Sequence, residues 1–234
     1  MSFENRPHLL SASWSGRRRF GAVAAFVVAL LLAPAVAHSA DSGGKSLKIV
    51  SFGTSLSARG DWQEPLRVRL ADCLGRPVSI AVVAKSGATS DWALTALDRV
   101  AAERPDAVLV EFYANDAALN RLIGVGRSRR NMAAILDGLR ARLPDSRIVV
   151  MAMNPLSGLR GWLRPFAERY IASHRQEAEK RHMEFIDLRS AWRRTYGDAL
   201  REAIPDGLHP LPGKAGAAIV SPLAEKLTDG ACPA

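Results

Sequence analysis

Leu47-Lys48-Ile49-Val50-Ser51-Phe52-Gly53-Thr54-Ser55-Leu56-Ser57 sets a short apolar run against a glycine, with a serine two residues beyond it. The run reads as a buried strand and Gly53 as the entry to a tight turn. Ser55 therefore falls just past a strand end, where an open α/β sheet collects its ligand-binding groups. Further strands are expected at Pro77 to Ala84, Ala107 to Phe112, Arg147 to Met153 and Met183 to Leu188. Ala107 to Phe112 is almost continuously apolar, as in parallel strands covered on both faces. Helical sequence separates them: Gln63 to Cys73, a segment capped by Ser90 or Asp91 and ending at Glu103, Ser128 to Arg142, and Pro165 to His182. Residues 190–205 suggest a short helix and loop, and a last helix runs from Pro212 to Leu227.

This alternation implies an α/β fold of three layers, α/β/α, around a mainly parallel five-stranded sheet. Right-handed crossovers make the flavodoxin-like order 2-1-3-4-5 the economical topology. In that order the first and last helices share one face and run antiparallel to the strands. Cys73 and Cys232, each near a helix end, then meet at the edge opposite the site, and a disulfide between them is expected.

The ends and composition bound the rest. Arg17-Arg18-Arg19 precede eighteen uncharged residues, Phe20 to Ala37, with Ala35 and Ala37 in small-x-small spacing. Residues 1–37 thus read as a secretory signal peptide, by the Sec or the twin-arginine (Tat) route, with an uncleaved N-terminal membrane anchor as the rival. Residues 38–46 are a linker and 47–230 one domain, periplasmic or secreted. The formal charge is +9; Arg6, Arg17, Arg18 and Arg19 against Glu4 supply +3 of it, leaving +6 beyond residue 37. Clusters at Arg121, Arg127, Arg129 and Arg130 and at Arg189, Arg193 and Arg194 read first as solvated faces, and otherwise as contacts for a membrane surface or acidic polysaccharide. Neither a nucleic-acid motif nor a clustered metal-ligand set is present, so no nucleic-acid partner, metal or cofactor is expected, and a monomer is.

A serine hydroxyl needs a base to take its proton, and the base needs a carboxylate to fix its tautomer. Asp206-Gly207-Leu208-His209-Pro210 holds both in one loop. Of the five histidines, His8 and His38 lie in or beside the presequence, while His174 and His182 fall on a polar helix and read as surface residues. Gly87 follows the second strand and Asn115-Asp116 the third, where turn residues and ligand-binding groups are both found. Asp116 is read as structural.

Four segments together resemble the SGNH (GDSL-type) hydrolases, across Leu47 to Leu227. Phe52-Gly53-Thr54-Ser55-Leu56-Ser57 matches the block that carries the nucleophile, here Ser55. Ala84-Lys85-Ser86-Gly87-Ala88-Thr89 matches the second, whose glycine, Gly87, gives a backbone N–H to the oxyanion hole alongside that of Ser55. Tyr113-Ala114-Asn115-Asp116 matches the third, with Asn115 giving a side-chain N–H, and Asp206 to Pro210 the last, with His209 as base and Asp206 as its partner. Thr54 stands where the family has Asp, and Tyr113 where it has Gly.

The resemblance implies a serine esterase acting on small-molecule or carbohydrate esters by an acyl-enzyme mechanism. An O-acyltransferase on exported polysaccharide would use the same residues, and a non-catalytic polysaccharide-binding module is the reading from another class. Tyr113, Lys85 and Asn154 are candidate pocket residues. Tyr113, Trp62, Trp92 and Trp162 are expected either to form a sugar platform or to pack as core and rim.

Overall fold

A computed structural model describes residues 45–233. The readings for residues 1–37, and most of the linker, lie outside them. Five strands, β1 (Leu47–Gly53), β2 (Val78–Ala84), β3 (Ala107–Glu111), β4 (Arg147–Ala152) and β5 (Glu184–Asp187), form one sheet in the expected order β2-β1-β3-β4-β5. Every pairing is parallel. Helices cover both faces, as parallel strands with apolar residues on each side require.

Among the described residues the α-helices are α1 (Ser55–Ala58), α2 (Gln63–Leu74), α3 (Ser90–Leu94), α4 (Leu97–Ala102), α5 (Tyr113–Asp116), α6 (Val125–Arg142), α7 (Gly158–Trp162), α8 (Ala167–Glu179), α9 (Arg189–Tyr196), α10 (Leu200–Ala203) and α11 (Lys214–Leu227). Alternate strand residues divide the core. Ile49, Leu109 and Val149 face α2, α9 and α11 through Leu66, Leu70, Trp192, Ile219 and Leu223. Val50, Val108 and Val150 face α3, α4 and α6 through Ala93, Val100, Met132, Ile135, Leu136 and Leu139. The α6 residues follow the three- and four-residue spacing of an apolar helical stripe, which is why this helix was plain in the sequence.

The expected helix up to Glu103 is instead two short ones. Thr95 Oγ1 bonds back to Trp92 O at 2.8 Å, and the chain re-enters helix at Leu97. Neither Ser90 nor Asp91 caps the first of them. The Ser90 N–H goes to Asp116 Oδ1 at 2.8 Å, so a buried carboxylate from α5 does the work of a local cap.

His174 is also corrected. It is not a surface residue but fully enclosed, with Nε2 2.8 Å from Ser128 Oγ, and Ser128 Oγ is 2.6 Å from Asp116 Oδ2. Burial pushes the imidazole down to about 4, so it is neutral at neutral pH. With Asp116 ionised, Ser128 donates to that carboxylate and accepts from the Nε2–H of His174. The chain of bonds fastens α5 to α3, α6 and α8.

Cys73 at the end of α2 and Cys232 beyond α11 are joined in a disulfide across 159 residues. α2 and α11 lie side by side on one face, which brings the sulfurs together. A bridge closing so long a loop removes much unfolded-chain entropy. Cys73→Ser with Cys232→Ser should lower unfolding free energy by roughly 2–5 kcal/mol, read as a drop in urea midpoint. Treating the parent protein with dithiothreitol should reproduce the drop and leave the double variant unchanged.

Candidate active site

β1 ends on Gly53 because the side chain of its register partner, Glu111, lies against it. A Cβ at residue 53 would collide with the Glu111 carboxylate and with Ser57 Oγ. Glu111 is wholly buried and accepts from Thr54 N–H at 2.5 Å, from Thr54 Oγ1 at 3.0 Å and from Ser57 Oγ at 3.0 Å. One carboxylate thus holds both flanks of Ser55. Thr54, one of the two departures from the resemblance, is satisfied by an acid supplied from β3. Burial pushes Glu111 up to about 7, against the opposing pull of its donors.

Ser55 opens α1 with its Oγ 2.9 Å from His209 Nε2. His209 Nδ1 is 2.7 Å from Asp206 Oδ2, while the other oxygen, Oδ1, accepts the backbone N–H groups of His209 at 2.6 Å and Leu208 at 2.8 Å. Desolvation raises the Asp206 pKa, but those two amides and the imidazole outweigh it and leave the carboxyl at about 2. It is ionised throughout the neutral range. An acceptor on Nδ1 places the ring proton there and leaves the Nε2 lone pair for Ser55.

The loop is fastened from outside as well. Asn154 Nδ2 donates to Leu208 O at 3.0 Å, Ser157 N–H to Gly207 O at 3.0 Å, and Arg160 Nε reaches Asp206 Oδ2 at 2.9 Å. Arg59 Nη2 lies 3.0 Å from His209 Nε2, so a guanidinium and the serine hydroxyl converge on one lone pair.

Anion donors stand opposite. Gly87 takes φ +77° in a turn closed by Ala88 N–H to Lys85 O, a conformation suited to glycine, with the Arg121 guanidinium just outside it. Asn115 Nδ2 donates one hydrogen to Ala88 O at 2.8 Å, which ties the amide to the Gly87 turn and leaves its second hydrogen available. Among the described residues neither the Ser55 nor the Gly87 backbone N–H has an intramolecular acceptor. Such a set, a hydroxyl, an oriented base and convergent N–H groups, suits acyl transfer.

A cavity of about 220 Å³ opens beside Ser55 and His209, with Leu56, Met153, Trp192 and Pro212 in its apolar wall. Asn154 lines it, as read from the sequence. Tyr113 and Lys85 do not. Tyr113 is enclosed in the core with its hydroxyl donating to Asn154 O at 2.8 Å, so it offers no stacking surface, and Lys85 is solvated on its loop. Trp62 is buried with its indole N–H on Leu56 O, and Trp92 packs on Phe52 and Phe112, which ends the sugar platform. Trp162 alone of the three is widely exposed.

The sequence model of the GDSL-like lipase/acylhydrolase family matches residues 50–213, which span the nucleophile turn, both donor loops and the His209 loop. The chain belongs to this family. Its fold is shared by a lipase/acylhydrolase from Enterococcus faecalis at 24% identity, with TM-score 0.64 over 77% of this chain and 96% of the other. A GDSL-like lipase from Parabacteroides merdae aligns at 20% identity and TM-score 0.67, over 79% and 97%. An acetylxylan esterase from Geobacillus stearothermophilus aligns at 14% identity and TM-score 0.64, over 80% and 95%. Comparison with curated proteins finds no match.

In this GDSL-family hydrolase three site residues escaped the sequence reading: Glu111, Arg59 and Trp192. Glu111 had a signal, since it is the one charge in the apolar run Ala107 to Phe112 and a charge covered on both faces must find partners. Arg59 and Trp192 had none, because their approach to the site depends on how α1 and α9 pack.

Glu111 makes a testable contribution to stability. Its folded pKa lies above the unfolded value, so that contribution is complete below about pH 4.5 and is lost as pH rises through about 7. His174 works in the opposite sense, losing stability as pH falls from about 6.5 toward 4. Measuring Glu111→Gln against the parent isolates the first effect. The parent's advantage should shrink by on the order of 2–3 kcal/mol between pH 5 and pH 8 in denaturant titrations.

Proposed function

We propose that this chain is an exported serine hydrolase that cleaves carboxylic esters of carbohydrate or small lipid through an acyl-enzyme on Ser55. The observation that carries the reading is the unbroken series Ser55 Oγ, His209 Nε2, His209 Nδ1, Asp206 Oδ2, with contacts of 2.9 and 2.7 Å. A binding module has no need of an oriented base. Export rests on Arg17 to Arg19 and the apolar run that follows, and the Cys73–Cys232 bridge suits an oxidising compartment.

Ser55 Oγ attacks the ester carbonyl carbon as its proton passes to His209 Nε2. The oxyanion is received by the N–H groups of Ser55 and Gly87 and by the free amide hydrogen of Asn115. Asp206 stabilises the imidazolium without taking its proton. Collapse breaks the bond to the alcohol oxygen, which leaves with the proton from Nε2. Water, deprotonated by the same nitrogen, attacks the acyl-serine, and the acid departs as Ser55 regains its hydrogen. The apolar cavity between Leu56, Met153 and Trp192 fits the acyl portion, and its modest size favours short chains.

The test is release of p-nitrophenol from its acetate by the purified protein. Ser55→Ala should abolish it, and a chelator should leave it unchanged. Asn115→Ala should lower kcat by about 10²–10³ with little change in KM, the signature of a donor that acts on the transition state. A phosphonate ester should add mass at Ser55 in the parent and not in His209→Ala. Turnover that survives Ser55→Ala would overturn the reading.

A further inference from the structure

Beside the catalytic mouth the chain exposes what a folded domain normally covers. The turn Leu119–Arg121 and its cap Leu122 lie against α7 and the start of α8. Leu119 N–H bonds Leu163 O at 3.0 Å, Tyr170 Oη donates to Ile123 O at 2.5 Å, and Arg164 Nε donates to Ala114 O at 2.5 Å. These bonds make one ridge of two segments. Leu119, Leu122, Leu159, Trp162 and Phe166 on it are five of the eight large apolar side chains exposed among the described residues; Leu122 is 85% and Trp162 72% exposed. Single exposed leucines are ordinary, but a cluster with a tryptophan marks a contact surface.

The ridge is also cationic. Arg121 has no carboxylate partner among the described residues, and neither has Arg169, which stacks over the Phe166 ring at 5.3 Å. Arg160 adds a third guanidinium, one that is paired with Asp206. Glu168, the one acid between residues 155 and 169, is taken by Arg189, so Arg189 of the second basic cluster serves an internal ion pair. The enclosed Arg164 joins the two segments beneath these charges, its Nη1 donating to Arg160 O at 2.7 Å.

We propose that this ridge seats the protein on a bilayer containing anionic phospholipid. Leucine and indole tips enter the acyl boundary while guanidinium groups lie at the depth of the phosphates, the division of labour that interfacial binding requires. The combination selects this occupant. A second copy of the chain would bring two ridges of the same positive sign face to face across a two-fold axis. An acidic polysaccharide would engage the arginines and Trp162 but leave the leucine tips in water. Because Arg121 stands over Gly87 and Arg160 on Asp206, docking would turn the catalytic mouth toward the lipid. The proposal concerns binding alone, so Ser55→Ala should dock as the parent does.

The experiment is fluorescence quenching of the full protein by brominated acyl chains, in vesicles of phosphatidylcholine with or without about 30% phosphatidylglycerol. The difference between the parent and Trp162→Phe isolates Trp162 from the other indoles and from any contact made by the N-terminal segment. Trp162 should be quenched on the anionic vesicles. That quenching should fall at least about fivefold on neutral ones, in about 0.5 M NaCl, or in Arg121→Gln with Arg169→Gln. Leu122→Ser with Leu159→Ser should lose it while keeping the parent's thermal midpoint. Trp162 unquenched on anionic vesicles, or equally quenched on neutral ones, would overturn the proposal. So would a dimer in sedimentation that Leu122→Ser with Leu159→Ser disperses.

Discussion

A carboxylate enclosed beneath the turn that presents Ser55 fixes the geometry on which the rest of the site depends. Glu111 reaches from β3 to β1 and gathers the amide and hydroxyl of Thr54 and the hydroxyl of Ser57. Residue 53 must be glycine for it to fit. An acid in such a place is costly to bury, and its three donors offset that cost only while the turn keeps its shape. The serine is therefore positioned by the sheet itself rather than by the short helix it begins. The family's usual acid lies beside the serine in sequence, whereas here an acid reaches the same turn from a neighbouring strand.

The base is held by a different principle. His209 sits in a loop, where backbone freedom would blur its position, and the loop is stiffened by bonds to its own carboxylate and to three residues after β4, Asn154, Ser157 and Arg160. Nucleophile and base thus answer to different strands, β1 and β3 for one, β4 for the other. The 2.9 Å contact between them joins residues 154 apart in sequence, so tertiary packing sets it and no local motif does.

Much of this was legible in the sequence. The five strands were, because parallel strands read as apolar runs closed by glycine or turn residues, and their alternation with helices left one economical order. Ser55, Gly87, Asn115, Asp206 and His209 were legible through spacing and through family resemblance. Side-chain surroundings were not. Tyr113 beside a donor residue suggested a pocket wall and proved to be core, because it opens the short helix α5, whose first side chain turns inward to reach Asn154 O. His174 on a polar helix suggested solvent and proved to be enclosed, since a helix two-thirds polar still has a side that faces its neighbours. Whether Lys85 reaches a site depends on loop direction, which no local pattern encodes.

The bridge between residues 73 and 232 has a topological consequence. It turns all of the chain between them, His209 included, into a covalent ring, with Ser55 on the arm that leads into it. A protease that cuts one exposed turn in that ring opens it without releasing either piece. Hydroxyl and imidazole remain on the same molecule, and the severed ends need only stay seated in a packed fold for the pair to persist after the backbone has been cleaved.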